Sequence, residues 1–187
     1  MILVAGLGNP GEQFINTRHN IGREIAEAFV YEAGLGEFRF EKKWNAEVAE
    51  GKIGREKIAI LLPDAMMNKS GAAIAPAARF FKMRPKYIFV IHDDADIPLG
   101  SAKLSFGKNS AGHKGVESVI RALKTKEFWR LRIGIAGRRD IPAERLVLKK
   151  FTPDESRTLK KISKKTLEAL RTIAEAGPER AMNAYNV

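Results

Sequence analysis

The chain contains no cysteine, which excludes disulfides, cysteine-ligated zinc and a thiol nucleophile and fits a reducing compartment. Histidine is nearly as scarce, with three in 187 residues, so a histidine found in a polar loop needs a reason. No apolar run approaches the roughly 18 residues of a membrane span. No basic segment followed by an apolar stretch marks a leader at the N-terminus, and a cytoplasmic protein is expected. Internal repeats and low-complexity linkers are missing too, and the length suits one domain over residues 1–187 with a sizeable core. Acidic residues are in deficit: 22 Asp and Glu stand against 33 Lys and Arg, a net charge of +11. An excess of that size favours a polyanionic partner, nucleic acid first. The basic residues are spread, with concentrations at Lys42-Lys43, Arg138-Arg139, Lys149-Lys150, Lys160-Lys161 and Lys164-Lys165, which predicts a folded basic surface rather than a disordered arm.

What is present reads as strands alternating with helices. Residues 1–6 form an apolar strand and 20–33 a helix closed by Gly34. Ala46–Glu50 and Lys57–Leu62 are two strands joined by a Gly51…Gly54 turn, and Asn68–Met83 is a helix in which Pro76 predicts an irregularity. Tyr87–Ile91 is a short buried strand, Ser101–Phe106 alternates as a half-buried one, and His113–Leu123 is helical. Leu131–Ala136 is a strand and Leu146–Leu148 a short one. A long basic helix spans 153–176, with Thr152 as its cap and Pro153 at its first position. The alternation predicts an α/β sandwich, three layers with helices on both faces, and the 46–62 hairpin makes the sheet mixed.

The first strand empties into Gly6-Leu7-Gly8-Asn9-Pro10-Gly11, followed by His19-Asn20. The glycines match G-x-G-x-x-G, but Pro10 interrupts the motif and the next helical pattern begins only after His19. Glu27 and Glu32 lie in that helix, where a ribose-binding acid should end a second strand, so dinucleotide binding is not supported. Polar, compact residues follow each of the other strands: Met66-Met67-Asn68-Lys69-Ser70-Gly71, then His92-Asp93-Asp94-Ala95-Asp96, then Ser110 to Gly115. If the strands are neighbours, His19, Asn68 and one acid converge in one cleft. An aspartate bonded to one imidazole nitrogen leaves the other free as a base. Amides such as Asn9 and Asn68 can donate to a carbonyl oxygen as it gains charge. Each has a plainer reading: Asn9-Pro10-Gly11 as a turn, Asn68 or Ser70 as a helix cap, the lone histidine as structural. The acids at 93, 94 and 96 lack the glycine and distal glutamate of a calcium loop.

Taken in order, Gly6–Gly11, Thr17-Arg18-His19-Asn20, Met67–Gly71, His92–Gly100, Gly112-His113-Lys114-Gly115 and Arg130–Ile135 closely resemble the motifs of the bacterial-type peptidyl-tRNA hydrolases, from Ile2 to about Phe151. The resemblance implies an esterase that cleaves the bond between a peptide and the 3′ ribose of tRNA, built as a single α/β domain around a twisted mixed sheet. It implies no metal and no other cofactor, peptidyl-tRNA as partner, no membrane, and a monomer. His19 matches the catalytic base, Asp93 its supporting acid and Asn9 the residue that positions substrate and tells blocked from free aminoacyl ends. Asn20, in the motif of His19, is expected among the substrate- or tRNA-binding residues, Asn68 matches an amide of the substrate cleft, and Arg132 a basic residue that holds tRNA phosphate.

The chain also departs from that pattern. Lys114 stands where an asparagine contacts substrate, and Phe14 and Met66 stand at substrate-binding positions where tyrosine and phenylalanine are usual, keeping apolar contact but losing the tyrosine hydroxyl. Ser105 replaces a second phosphate-binding lysine, leaving Lys103 as its substitute. A lysine buried in the cleft would be costly without an anion, so Lys114 is expected to be recruited to a phosphate or an oxyanion. The alternative to hydrolysis is a catalytically inactive, hydrolase-like RNA-binding protein, for which Lys114 and the net charge speak and the His19–Asp93 pair does not.

Overall fold

The computed structural model describes residues 1–137 and 141–186; the Arg138-Arg139 pair falls outside them. One seven-stranded mixed sheet runs through the molecule. In chain order its strands are β1 (Ile2–Gly6), β2 (Arg39–Glu41), β3 (Ala46–Ile53), β4 (Glu56–Pro63), β5 (Ile88–Pro98), β6 (Ala102–Phe106) and β7 (Trp129–Ala136). Their spatial order is β2-β3-β4-β1-β5-β7-β6. β1 is parallel to β4 and β5, and β5 to β7, whereas β2–β3, β3–β4 and β6–β7 are antiparallel.

β1 sits in the middle because every residue of Ile2–Gly6 is buried, as a strand covered on both faces requires. Ile2 and Val4 join a core with α1 (Ile21–Ala33) and α5 (Pro153–Ala176), while Leu3 and Ala5 pack on the opposite face with α2 (Gly71–Phe80) and α3 (Lys114–Leu123). α1 ends at Gly34 in the left-handed conformation and α5 is capped by Thr152, as their sequences predict; Glu155 bonds back to the Thr152 N–H and completes a capping box.

Several boundaries differ from the sequence reading. The hairpin turn is Gly54-Arg55, and Gly51 belongs to β3. α2 is shorter than expected and passes through Pro76 without a break. Residues 143–146 form a helical turn, α4, not a strand: Pro142 turns the chain, its carbonyl accepts from Arg145 and Leu146 N–H, and Lys150 alone makes a bridge, to Thr17. The edge strand β2 and a terminal helix α6 (Pro178–Tyr185) are short and are not anticipated.

The largest difference is in β5, which continues past Ile91 to Pro98. β1 ends opposite Ile91, but β7 goes on pairing through Asp93 and Asp94. The strand therefore projects a polar tip beyond the sheet's centre. β4 and β5 flank β1 on its two sides; α1 follows β1 on one face and α2 joins β4 to β5 across the other, so the carboxyl ends of these three strands frame the crevice where α/β sheets place ligands.

Candidate active site

Four segments meet in that crevice. The loop after β1 supplies Asn9, the 3-10 turn Arg18–Asn20 before α1 supplies His19, the segment after β4 supplies Met66, Met67 and Asn68, and the tip of β5 supplies Asp93. The start of α3 and the stretch around α4 complete the walls, with Lys114, Glu144, Val147 and Leu148, and the cleft has a volume of about 560 Å3. α1 begins unusually close to the strand ends. A Cβ on Gly22 would stand 2.2 Å from the carbonyl oxygen of Ile91 and 2.9 Å from that of Leu7, so glycine is needed there to bring His19 beside Asp93.

Asp93 is buried, with one carboxylate oxygen, Oδ1, accepting from two imidazoles: His19 Nδ1 at 2.8 Å and His113 Nε2 at 2.9 Å. The tautomer of His113 is fixed from its far side. Its Nδ1 accepts from the backbone N–H of Gly115 and Val116, capping α3, so its proton sits on Nε2 and points at Asp93. His19 likewise gives its Nδ1 proton to Asp93, and Nε2 is the nitrogen left with a lone pair. Burial opposes ionisation of Asp93, but the two imidazoles, His113 foremost, outweigh it and hold the carboxyl far below the usual carboxylate range. A carboxylate is therefore in place to face any positive charge that forms on His19.

Asn9 is equally constrained. Its backbone N–H donates to Asn20 Oδ1 at 2.8 Å and its carbonyl accepts from Asn20 Nδ2 at 2.9 Å. Its side-chain oxygen accepts from Met67 N–H at 2.7 Å, so the amide oxygen is consumed and the Nδ2 donor remains for the cleft. Asn20 thus acts through Asn9 and does not itself line the cleft. Asn68 is exposed on the cleft wall, in a 3-10 turn whose cap is Met66, so it caps no helix.

Of the remaining sequence candidates, Lys114 reaches the cleft and Phe14, Lys103 and Arg132 lie outside its lining. Phe14 is half-buried in its own 3-10 turn, Glu12–Phe14, outside the cleft lining. Lys103 and Arg132 are cross-strand partners on β6 and β7, which puts them on one face of the sheet edge. Arg132 Nε donates to Asp94 Oδ2 at 2.7 Å. Lys114 lines the cleft at its rim, with its side chain 67% exposed and Nζ 3.7 Å from Glu144 Oε1. The expected burial of its ammonium is not found, and with it goes the desolvation cost that called for a bound anion.

Sequence reasoning leaves His113 as part of a motif with no role of its own. The signal was available: it is one of three histidines, standing where a glycine-rich loop enters a helix. Among the described residues, His19, Asp93 and His113 also form a group close enough to hold a metal ion, with ligand atoms within 4.8 Å of one another. Both protons that a metal would displace are already used in hydrogen bonds to Asp93, and His113 Nδ1 is used by α3, so the donor set is satisfied as a proton network.

An imidazole lone pair backed by a buried carboxylate, with amide donors beside it in an open cleft, is an arrangement suited to hydrolysis. A sequence profile described as peptidyl-tRNA hydrolase matches residues 3–187. The chain is 41% identical over 188 residues to the peptidyl-tRNA hydrolase of Desulfitobacterium hafniense, covering all of both chains. It is 40% identical to that of Mycobacterium tuberculosis, covering 97% of this chain and 95% of the relative. The crystal structure of peptidyl-tRNA hydrolase from Acinetobacter baumannii superposes with a TM-score of 0.92 at 29% identity, covering all of this chain and 95% of that one. The chain belongs to the peptidyl-tRNA hydrolase family, a family of ester-hydrolysing enzymes.

Proposed function

We propose that this protein hydrolyses the ester joining a peptide to the 3′ ribose of tRNA, with His19 as the general base. The observation that carries the reading is the shared oxygen of Asp93: it holds the Nδ1 proton of His19 and so leaves Nε2 free at the wall of the cleft. His19 Nε2 takes a proton from water as the oxygen attacks the ester carbonyl. The carboxylate of Asp93 stabilises the imidazolium that forms, and His113 holds the carboxylate in place. The amides of Asn9 and Asn68 donate toward the carbonyl oxygen as it becomes negative. The proton then passes from His19 to the departing ribose oxygen, so the base is restored and free peptide and tRNA leave. The sequence supplies no nucleophile elbow of the G-x-S-x-G type, in keeping with direct attack by water.

Lys103 and Arg132 are the residues that meet tRNA phosphates in this reading. Asp94 fixes the Arg132 guanidinium through Nε and leaves the rest of the fork to an anion. Met66, exposed at the rim, gives apolar contact to the substrate. The reaction so written uses a single copy of the chain, no metal and no other cofactor, and it belongs to the cytoplasm, where tRNA is charged. A protein that merely bound RNA would have no use for a lone pair prepared in this way. The test is to incubate the purified protein with N-acetyl-aminoacyl-tRNA and with free aminoacyl-tRNA. Release of acetylated amino acid from the first, and slow or no release from the second, is expected; no release from either contradicts the reading.

A further inference from the structure

The catalytic histidine is held from behind as well as from the side. Thr17-Arg18-His19 runs along residues 147–150: Thr17 bridges Lys150, Arg18 N–H donates to Lys149 O at 3.0 Å, and His19 N–H donates to Val147 O at 2.9 Å. Val147 and Leu148 are themselves cleft wall. One strip of backbone therefore sets both the base and the surface opposite it.

That strip leads directly into the capping box of α5, and Arg18 ties the two together. Its side chain is 5% exposed, its guanidinium lies over the Phe151 ring at 4.6 Å, and Nη2 donates to Glu155 Oε2 at 2.7 Å. The same oxygen accepts from Thr152 N–H at 2.9 Å, so Glu155 closes the helix cap and grips Arg18 at once. Arg18 Nε and Nη1 are buried with no other partner among the described residues. Burial opposes ionisation of Glu155, but the Arg18 hydrogen bond and the Thr152 N–H hold its carboxyl below the ordinary range. A capping box by itself would be satisfied without reaching across 137 residues of chain to a buried arginine beside the catalytic base.

We infer that Glu155 and Arg18 are positioning residues for hydrolysis: the capped end of α5 clamps the Arg18–His19 turn and thereby fixes where His19 stands relative to the cleft wall. The clamp never touches substrate. Its loss leaves the cleft able to bind and loosens the placement of the base, and misplacement by about an ångström can cost a hundredfold. The signature is a fall in kcat with KM little changed.

This inference rests on the hydrolase reading, and its test separates the two. Glu155→Ala, Glu155→Gln and Thr152→Ala are compared with wild type for turnover of N-acetyl-aminoacyl-tRNA, with the folded fraction of each fixed by circular dichroism at the assay temperature. Glu155→Ala is expected to lower kcat by about tenfold or more, with KM within about threefold. Glu155→Gln keeps an acceptor for both Arg18 and Thr152 and is expected to restore most of the rate. Thr152→Ala weakens the helix cap, leaves the Arg18–Glu155 contact, and is expected to keep kcat near wild type. Wild-type kcat in Glu155→Ala, or an equal loss in Thr152→Ala and Glu155→Ala, overturns the clamp. An inactive wild type instead overturns the hydrolase reading.

Discussion

Asp93 spends a single oxygen on two imidazoles, and that sharing decides which nitrogen of each ring stays available. His113 is bound on both nitrogens and His19 on one, so the rings are not interchangeable. Asn9 is divided in the same manner, its oxygen taken by Met67 N–H and its NH2 left over. Asn9→Asp keeps the acceptor for Met67 and removes the donor. It is expected to fold normally and to lose about 10²–10³ in kcat, the usual cost of one oxyanion donor, measured by steady-state hydrolysis beside a thermal melt. Lys114 predicts the opposite outcome. Its ion pair with Glu144 is solvent-exposed on both sides, and such pairs are worth at most about 1 kcal/mol. Lys114→Asn is therefore expected to change kcat/KM by less than about fivefold; a larger loss would show that its charge acts on the substrate after all.

β5 shows how a buried element can carry titratable groups and what they cost. Its residues Ile88–Ile91 read plainly as a strand, but His92, Asp93 and Asp94 look like the loop that ends one. They continue the strand because their partners come from far away in sequence: His19 lies 74 residues before Asp93, and Arg132 lies 38 after Asp94. Periodicity cannot announce such compensation. The start of α5, by contrast, is written in consecutive residues, Thr152 as cap and Pro153 at the first position, and is legible at once; the structure adds the return bond of Glu155 that completes a capping box. Removing it with Thr152→Ala is expected to lower stability by about 1 kcal/mol in urea unfolding. His92 is buried with Nε2 unpartnered among the described residues, and burial, with His113 and Arg130 nearby, holds its pKa well below 6.5. It stays neutral in the folded state where the unfolded chain takes up a proton. Its contribution is therefore full above pH 6.5 and is lost as the pH falls below that value. Between pH 7 and about 5 the unfolding free energy of His92→Phe is expected to depend less steeply on pH than that of wild type. An equal or steeper dependence would contradict this assignment.

Charge is distributed unevenly over the protein. The net +11 coexists with a groove on the Pro10–Glu12 side of the Asn9 loop that is lined by Glu12, Glu24, Glu27, Glu47 and Asp64, with Arg23 paired to Glu27 and Glu47 among them, a predominantly acidic side that disfavours a polyanion. Phosphate contacts are thus expected to concentrate on the β6–β7 edge with Lys103 and Arg132. For three to five phosphates, log affinity against log salt should fall with a slope of roughly −2 to −5. Arg132→Ala should make that slope shallower by about one; a salt-independent affinity would remove charge as the recognition element. Most of the sheet's strands, its long helices and the convergence of His19 and Asn68 with one acid were readable because each lies next to a strong apolar period or a turn signal; β2 and the polar end of β5 were not. The role of His113, the placement of Lys114 at the rim and the position of Phe14 outside the cleft were not, since they depend on how α3 and the segment after Asn9 pack. The most direct test of the whole account compares single-turnover hydrolysis of N-acetyl-aminoacyl-tRNA by wild type and His19→Ala, with tRNA affinity measured beside it. His19→Ala should bind tRNA normally and react about 10²–10⁴-fold more slowly. A His19→Ala protein with wild-type rate would contradict the assignment of His19 as the base.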